Sequence, residues 1–289
     1  MLSKMISSRL FIILTLTIGW IGPKLEAATA CVWKVSDTNG RTLYLGGSMH
    51  TLRGIDYPLP SAYNRAFDAS TRVAFETDIQ ASRDMSATIT KAGQYPTGDN
   101  LKNHVDPRTY DYLRRVFAIL KVPEEQFAKL RPWYLALRLH LTGARGFSSS
   151  FGVESFLVRR ALANSKPVSG LESLREHMEV YSGLSDRQSE AVLLLTFIPD
   201  RQTGGADLIA AWRHGDADIL ARATREAYRD FPTMGERLLG ARNRAWIPKI
   251  EGYLQSGQTY FVVAGAAHMG GSDGVLALLR NRGYKIEQL

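Results

Sequence analysis

Two short patterns, 218 residues apart, constrain this chain more than any other feature. Gly47-Ser48-Met49-His50 follows the run Thr42-Leu43-Tyr44-Leu45, and Gly265-Ala266-Ala267-His268 follows Tyr260-Phe261-Val262-Val263-Ala264. Both runs read as β-strands. In open α/β sheets the residues just past the carboxyl ends of strands line the ligand crevice, and glycine there allows close approach. Two histidines delivered to one rim from opposite ends of a chain can share a metal ion or a substrate. Spacing alone is weak: with 25 glycines and 6 histidines in 289 residues, chance supplies about half a Gly-x-x-His per chain. Context strengthens it. None of His104, His140, His177 and His214 has glycine three residues earlier, and none closely follows a β-branched run. A third strand, Thr71-Arg72-Val73-Ala74-Phe75, ends on Glu76, so three strand ends offer His, Glu and His.

The first thirty residues read as an export signal: Lys4 and Arg9, an apolar run from Leu10 to Ile21, then Ala28-Thr29-Ala30 as the cleavage site. The run is too short to span a bilayer as a helix, which takes roughly 20 residues. An uncleaved N-terminus, or a lipid on Cys31, is the alternative that would tie the protein to a membrane. Cys31 is the single cysteine, so no internal disulfide forms. The formal charge of +8 falls to +6 once Lys4, Arg9, Lys24 and Glu26 are removed. The basic residues are spread widely without interleaved aromatics, which excludes a nucleic-acid signature. The expected location is periplasmic or extracellular.

The remaining chain, 31–289, reads as a single α/β domain: a sheet built from N- and C-terminal βαβ units, with a largely helical middle region over about residues 80–256. Asp37-Thr38-Asn39-Gly40 between Val32–Val35 and Thr42–Leu45 is a hairpin signal. A helix over Ser61–Ala69 leads to the strand that ends on Glu76. Asp106-Pro107 is a helix start, and further helices are expected over Val153–Asn164, Leu171–Tyr181, Asp186–Phe197, Asp216–Tyr228 and Gly235–Leu254, with a short strand over Lys166–Val168. Strand Thr259–Ala264, the His268 loop, a helix near Val275–Arg282 and strand Tyr284–Gln288 close the chain. Trp33, Trp133, Trp212 and Trp246 are expected in the core.

Two neutral imidazoles and a carboxylate suit a divalent first-row metal with positions left for water. Glu76 is either a ligand or a general base, and Asp78 is a second candidate ligand. The helix motif His-Glu-x-x-His is absent, as are Gly-x-Ser-x-Gly and phosphate-loop patterns. Arg242 and Asn243 are candidates to bind a carboxylate or a developing oxyanion, and Gly47 and Gly265 are candidates for close approach to substrate. Glu154, Lys166 and Glu172 either line the site, form a buried network or are scattered surface charges.

Taken together, Gly47-Ser48-Met49-His50, Phe75-Glu76-Thr77-Asp78, Gly152-Val153-Glu154, Lys166-Pro167, Leu171-Glu172, Arg242-Asn243, Gly265-Ala266-Ala267-His268, Gly270-Gly271 and Gly283-Tyr284 resemble the TraB/GumN/PrgY family, which includes the Tiki metalloproteases. The resemblance covers roughly residues 32 to 289 and rests on the order of these motifs. It implies an erythromycin-esterase/ChaN-like fold and a metal-dependent peptidase using manganese or cobalt, with zinc as a third candidate. It also implies a peptide or protein substrate, His50 and His268 as paired metal ligands, Glu76 as their acidic partner, and Arg242 as the arginine preceding the second motif. Ser48 stands where threonine is common, and Glu154 replaces a frequent aspartate. The alternative is a protein that sequesters a peptide or haem without turnover. A third reading is a metal-free esterase using one histidine as base.

Overall fold

Asp37 locks the turn that starts the sheet. Its Oδ1 accepts from the backbone N–H groups of Asn39 (2.9 Å) and Arg41 (2.8 Å), and Gly40 takes the left-handed backbone, φ 78°, that the turn needs. The turn joins β1 (Val32–Ser36) to β2 (Thr42–Ser48) in antiparallel register, Val35 opposite Leu43, as the Asn-Gly signal requires. The computed structural model describes residues 29–78, 86–142, 147–197 and 207–289. The export signal through Ala28 therefore lies outside the described residues.

The remaining strands are β3 (Arg72–Thr77), β4 (Val168–Glu172), β5 (Tyr260–Gly265) and β6 (Lys285–Gln288). They form a six-stranded sheet in the order β4-β3-β5-β2-β1-β6. The strands β4, β3, β5 and β2 are mutually parallel, and β1 is antiparallel to both its neighbours. Every residue of β5 is buried, as expected of a continuous apolar run between two parallel neighbours. It slots between β2 and β3, so the N- and C-terminal units interleave. Ser48 lies opposite Gly265, and Thr77 opposite Glu172. Four parallel strands thus end side by side at one edge.

The helices are α1 (Ser61–Asp68), α2 (Ser86–Ala92), α3 (Pro107–Ile119), α4 (Glu124–Phe127), α5 (Pro132–Thr142), α6 (Val153–Ala163), α7 (Leu174–Ser182), α8 (Asp186–Leu195), α9 (Leu208–His214), α10 (Ala217–Ala227), α11 (Pro232–Gly235), α12 (Ala241–Gln255) and α13 (Val275–Arg280). Among the described residues no helix is long and apolar enough to cross a membrane. The sheet core gathers Tyr63, Phe67, Leu157, Trp212, Trp246 and Phe261, and a separate cluster in the helical region holds Leu113, Phe117, Phe127, Leu130, Trp133 and Leu193. Trp33 also belongs to the sheet core, so all four tryptophans in question are core residues.

Two expectations shift. The strand near Lys166 runs over Val168–Glu172, and the next helix starts at Leu174, not Leu171. Ser173 sets that boundary with a capping box, its Oγ accepting from the Glu176 N–H while the Glu176 carboxylate accepts from the Ser173 N–H. Gly170 lets β4 lie close to β3: a Cβ there would come within 2.5 Å of Asp78 N. Cys31 is fully buried, and burial pushes its thiol up to about 12.

Candidate metal centre

β3 carries Glu76 into the interior, where burial alone would favour the neutral acid. Arg242, His268, His50 and His177 outweigh that and hold its carboxyl well below the usual range. Oε1 accepts from the Gly265 N–H at 2.7 Å and Oε2 from Arg242 Nη2 at 2.5 Å.

Arg242 enters from the first turn of α12, directly after a π-helical turn over Glu236–Gly240. Such turns re-aim side chains at functional sites. Its Nε donates to Glu172 Oε2 (3.2 Å), its Nη2 to Glu172 Oε1 (2.6 Å) and its Nη1 to the Leu238 carbonyl (3.2 Å). The guanidinium lies 4.7 Å over the Trp246 ring, whose Nε1 donates to Glu172 Oε2 at 3.0 Å. Burial opposes its charge, but the Glu76 and Glu172 carboxylates dominate and raise its pKa further. Glu172 is itself lowered, its desolvation outweighed by hydrogen bonds from His177 and Arg242.

His268 sits on the 3-10 turn Ala266–His268 that follows β5. Asn243 Nδ2 donates to the Asp273 carbonyl (2.9 Å), which orients the amide so that its Oδ1 faces His268 Nδ1 at 2.7 Å. An amide oxygen only accepts, so Nδ1 carries the proton and Nε2 the lone pair. Nε2 lies 3.0 Å from Arg242 Nη1 and 3.9 Å from Glu76 Oε1. Burial lowers the His268 pKa to about 3, and the ring is neutral at physiological pH.

His50 differs. Its side chain is 52% exposed, and its Nδ1 faces Glu154 Oε2 at 3.0 Å. Glu154, in the first turn of α6, also accepts from Ser48 Oγ at 3.2 Å and raises the His50 pKa to about 9. The approach of α6 depends on Gly152, where a Cβ would come within 2.3 Å of the His50 carbonyl oxygen. The Val153 N–H then donates to the Met49 carbonyl at 3.0 Å.

Gly265 leaves room where these groups meet. A Cβ at residue 265 would lie 3.2 Å from Glu76 Oε1, 3.4 Å from His50 Nε2 and 3.4 Å from His268 Cδ2. The donor types suit a divalent ion, since an acceptor holds Nδ1 of each histidine and turns Nε2 the other way, although His268 Nε2 here faces Arg242 Nη1 at 3.0 Å. An acceptor on Nδ1 is the usual outer support of metal-binding histidine.

The sequence pattern of the TraB/PrgY/gumN family matches residues 31–288, nearly all of the described chain. The chain belongs to this family. It is also similar to Metalloprotease TIKI2 of Danio rerio, 23% identical over 302 aligned positions that cover 84% of this chain and 58% of the relative. The chain therefore spans little more than half of that relative's length. No solved structure matches.

Of the positions singled out in this TraB/PrgY/gumN chain, Glu76, Gly265, Arg242, Asn243 and His268 form one hydrogen-bonded cluster, and His50 Nε2 comes up beside it at Gly265. Glu172 joins the cluster through Arg242, and Glu154 bonds His50 and Ser48. Gly47 does not face it: its surroundings are Ala266 and Cys31, and its carbonyl accepts from Trp212 Nε1 and the Tyr63 hydroxyl. Lys166 lies elsewhere, donating to the Phe67 carbonyl in the last turn of α1 and the Ser70 carbonyl just beyond it. Among the described residues the group that offers metal-ligand atoms at close range is Glu76, Glu172 and His177, without Asp78. His177 was not expected here. Its Nδ1 lies 2.7 Å from Glu172 Oε1. The Ser173–Glu176 capping box was the signal in the sequence, since it ends β4 at Glu172 and puts His177 in the first turns of α7.

Proposed function

We propose that this chain is a divalent-metal-dependent hydrolase of peptides. His50, His268 and Glu76 are the metal ligands in this reading. The observation that carries it is the convergence of two histidine edges and a carboxylate on the space that Gly265 leaves open. Family membership and the likeness to a metalloprotease support the reaction class and a peptide or protein substrate. Manganese or cobalt is the favoured ion. The proposal includes export to the periplasm or outside the cell, residues 31–289 acting as one unit, and an erythromycin-esterase/ChaN-like arrangement.

When bound, the ion supplies a Lewis acid that polarises a carbonyl and acidifies a water. The protein's own groups do the rest. Glu154 and Asn243 hold the two imidazoles by Nδ1, so Nε2 is the ligating nitrogen of each; in that role His50 Nε2 gives up its proton and His268 Nε2 its Arg242 Nη1 contact. Arg242 keeps Glu76 ionised and places a fixed positive charge beside His268, where it stabilises negative charge developing on a substrate oxygen. Substrate enters on the His50 side, since Glu76, Arg242 and His268 are each less than 10% exposed. The test is cleavage of a mixed peptide library by the purified protein, read by mass spectrometry. The proposal expects cleavage abolished by chelator, restored by Mn²⁺ or Co²⁺ and lost in His268→Ala. Cleavage that survives chelator, or no cleavage with any of these ions, contradicts it.

A further inference from the structure

The Glu76 carboxylate has two sides, and only one faces the paired histidines. Oε1 receives the Gly265 N–H and lies 3.9 Å from His268 Nε2. Oε2 turns toward Glu172 and His177. One ligand atom from each of Glu76, Glu172 and His177 falls within 4.8 Å of the others, the grouping expected around a cation. A cation is already there. Arg242 Nη2 lies 2.5 Å from Glu76 Oε2, 2.6 Å from Glu172 Oε1 and 3.1 Å from His177 Nδ1.

We infer that Arg242 stands in for the second ion of a two-cation centre. Its guanidinium fills the position framed by Glu76 Oε2, Glu172 and His177, so the centre takes one divalent ion, and removal of the arginine opens a site for a second. The inference rests on the metal reading of His50, Glu76 and His268.

Three observations support the substitution. Charge is the first: Arg242 Nη2 is ion-paired with both carboxylates, at 2.5 Å from Glu76 Oε2 and 2.6 Å from Glu172 Oε1. Geometry is the second, because the fork of the guanidinium reaches both oxygens of Glu172 and one of Glu76 at once, which a planar, weakly hydrated cation does better than an ammonium. The Trp246 ring adds a third, covering the guanidinium face and fixing its plane. In two-metal hydrolases the second ion stabilises charge on the attacking or leaving oxygen. Here a covalently attached cation provides that charge next to His268 and cannot be stripped by chelator. His177 is the open side of this second position, with its side chain 25% exposed.

Equilibrium dialysis against Mn²⁺, with bound metal counted by mass spectrometry, tests this on the wild type, Arg242→Ala, and Arg242→Ala combined with Glu172→Gln. The expected stoichiometries are one, two and one. Two ions on the wild type, or one on a folded Arg242→Ala, overturns the inference while leaving the metal reading intact. No ion on the wild type removes that reading and the inference with it. Should Arg242→Ala fail to fold without metal, refolding in Mn²⁺ decides: recovery with two ions retained supports the inference, and failure to recover overturns it.

Discussion

His50 and His268 come from the same four-residue pattern at neighbouring strand ends, yet their surroundings are opposite. His268 is buried, tied to an amide oxygen and pressed toward neutrality, with its pKa lowered to about 3. His50 is half in solvent, paired with a carboxylate, with its pKa raised to about 9. The contrast separates two jobs that one motif would otherwise share. The His268 side, with Glu76, Glu172 and Arg242, is a rigid charge-balanced block inside the protein. The His50 side is open to solvent and, in the proposed reaction, is the side from which substrate arrives.

The largest way to break that contrast is Arg242→Ala. In metal-free buffer it leaves Glu76 and Glu172 buried without their cation, and urea unfolding should show a loss of about 3–5 kcal/mol, the range for a broken buried pair. His50→Ala, at a pair open to water, should cost clearly less. Equal costs would mean that the two sides are not energetically distinct.

Next comes Gly265→Ala, which sets a methyl group into the space shared by both sides. Its Cβ would stand 3.2–3.4 Å from three groups that must converge there. Metal affinity should fall at least tenfold by calorimetric titration while the far-ultraviolet circular dichroism stays unchanged. Retained affinity would show that the ion does not use that space.

Glu154→Gln sharpens the exposed side alone. It keeps the shape and removes the charge that supports His50, so metal affinity should drop about 10–100-fold. In the metal-free protein the His50 titration followed by NMR should fall from about 9 toward the ordinary value.

The smallest effect is the pH dependence of stability, where the two histidines have opposite signs. His50 binds its proton more tightly folded than unfolded. Its contribution is complete below the unfolded pKa of about 6.5 and is lost as pH rises toward 9. His268 binds its proton less tightly folded, so its contribution is present above about 6.5 and is lost as pH falls toward 3. Urea midpoints of the metal-free protein at pH 5, 7 and 9 should peak near 7, and His50→Gln should flatten the alkaline limb specifically. An alkaline limb unchanged in that variant would contradict the Glu154 pairing.

Much of the centre was legible because strand ends are easy to read. Apolar β-branched runs stopping at Gly-x-x-His or at Glu put His50, Glu76 and His268 at one edge before any coordinates, and Asn-Gly marked the hairpin that brings β2 there. The position of Glu172 was harder. With Gly170 in its middle, Val168–Glu172 looks broken as a strand, yet the missing side chain is what allows β4 to pack against Thr77 and Asp78. Misplacing that boundary made Glu172 a helix residue and hid His177. Gly47 illustrates the reverse: the same glycine-before-histidine spacing as Gly265, but a packing position against Ala266, which only the pairing of β2 with β5 reveals.

The central claim is that two histidines and a carboxylate share one ion, and cobalt absorption tests it most directly. Co²⁺ titrated into the purified protein should give a visible ligand-field band that saturates at one equivalent. The band should change or vanish in His50→Ala, Glu76→Gln and His268→Ala, each confirmed folded by circular dichroism. A band that persists unaltered in either histidine variant, or no band at all in the wild type, would contradict the shared centre.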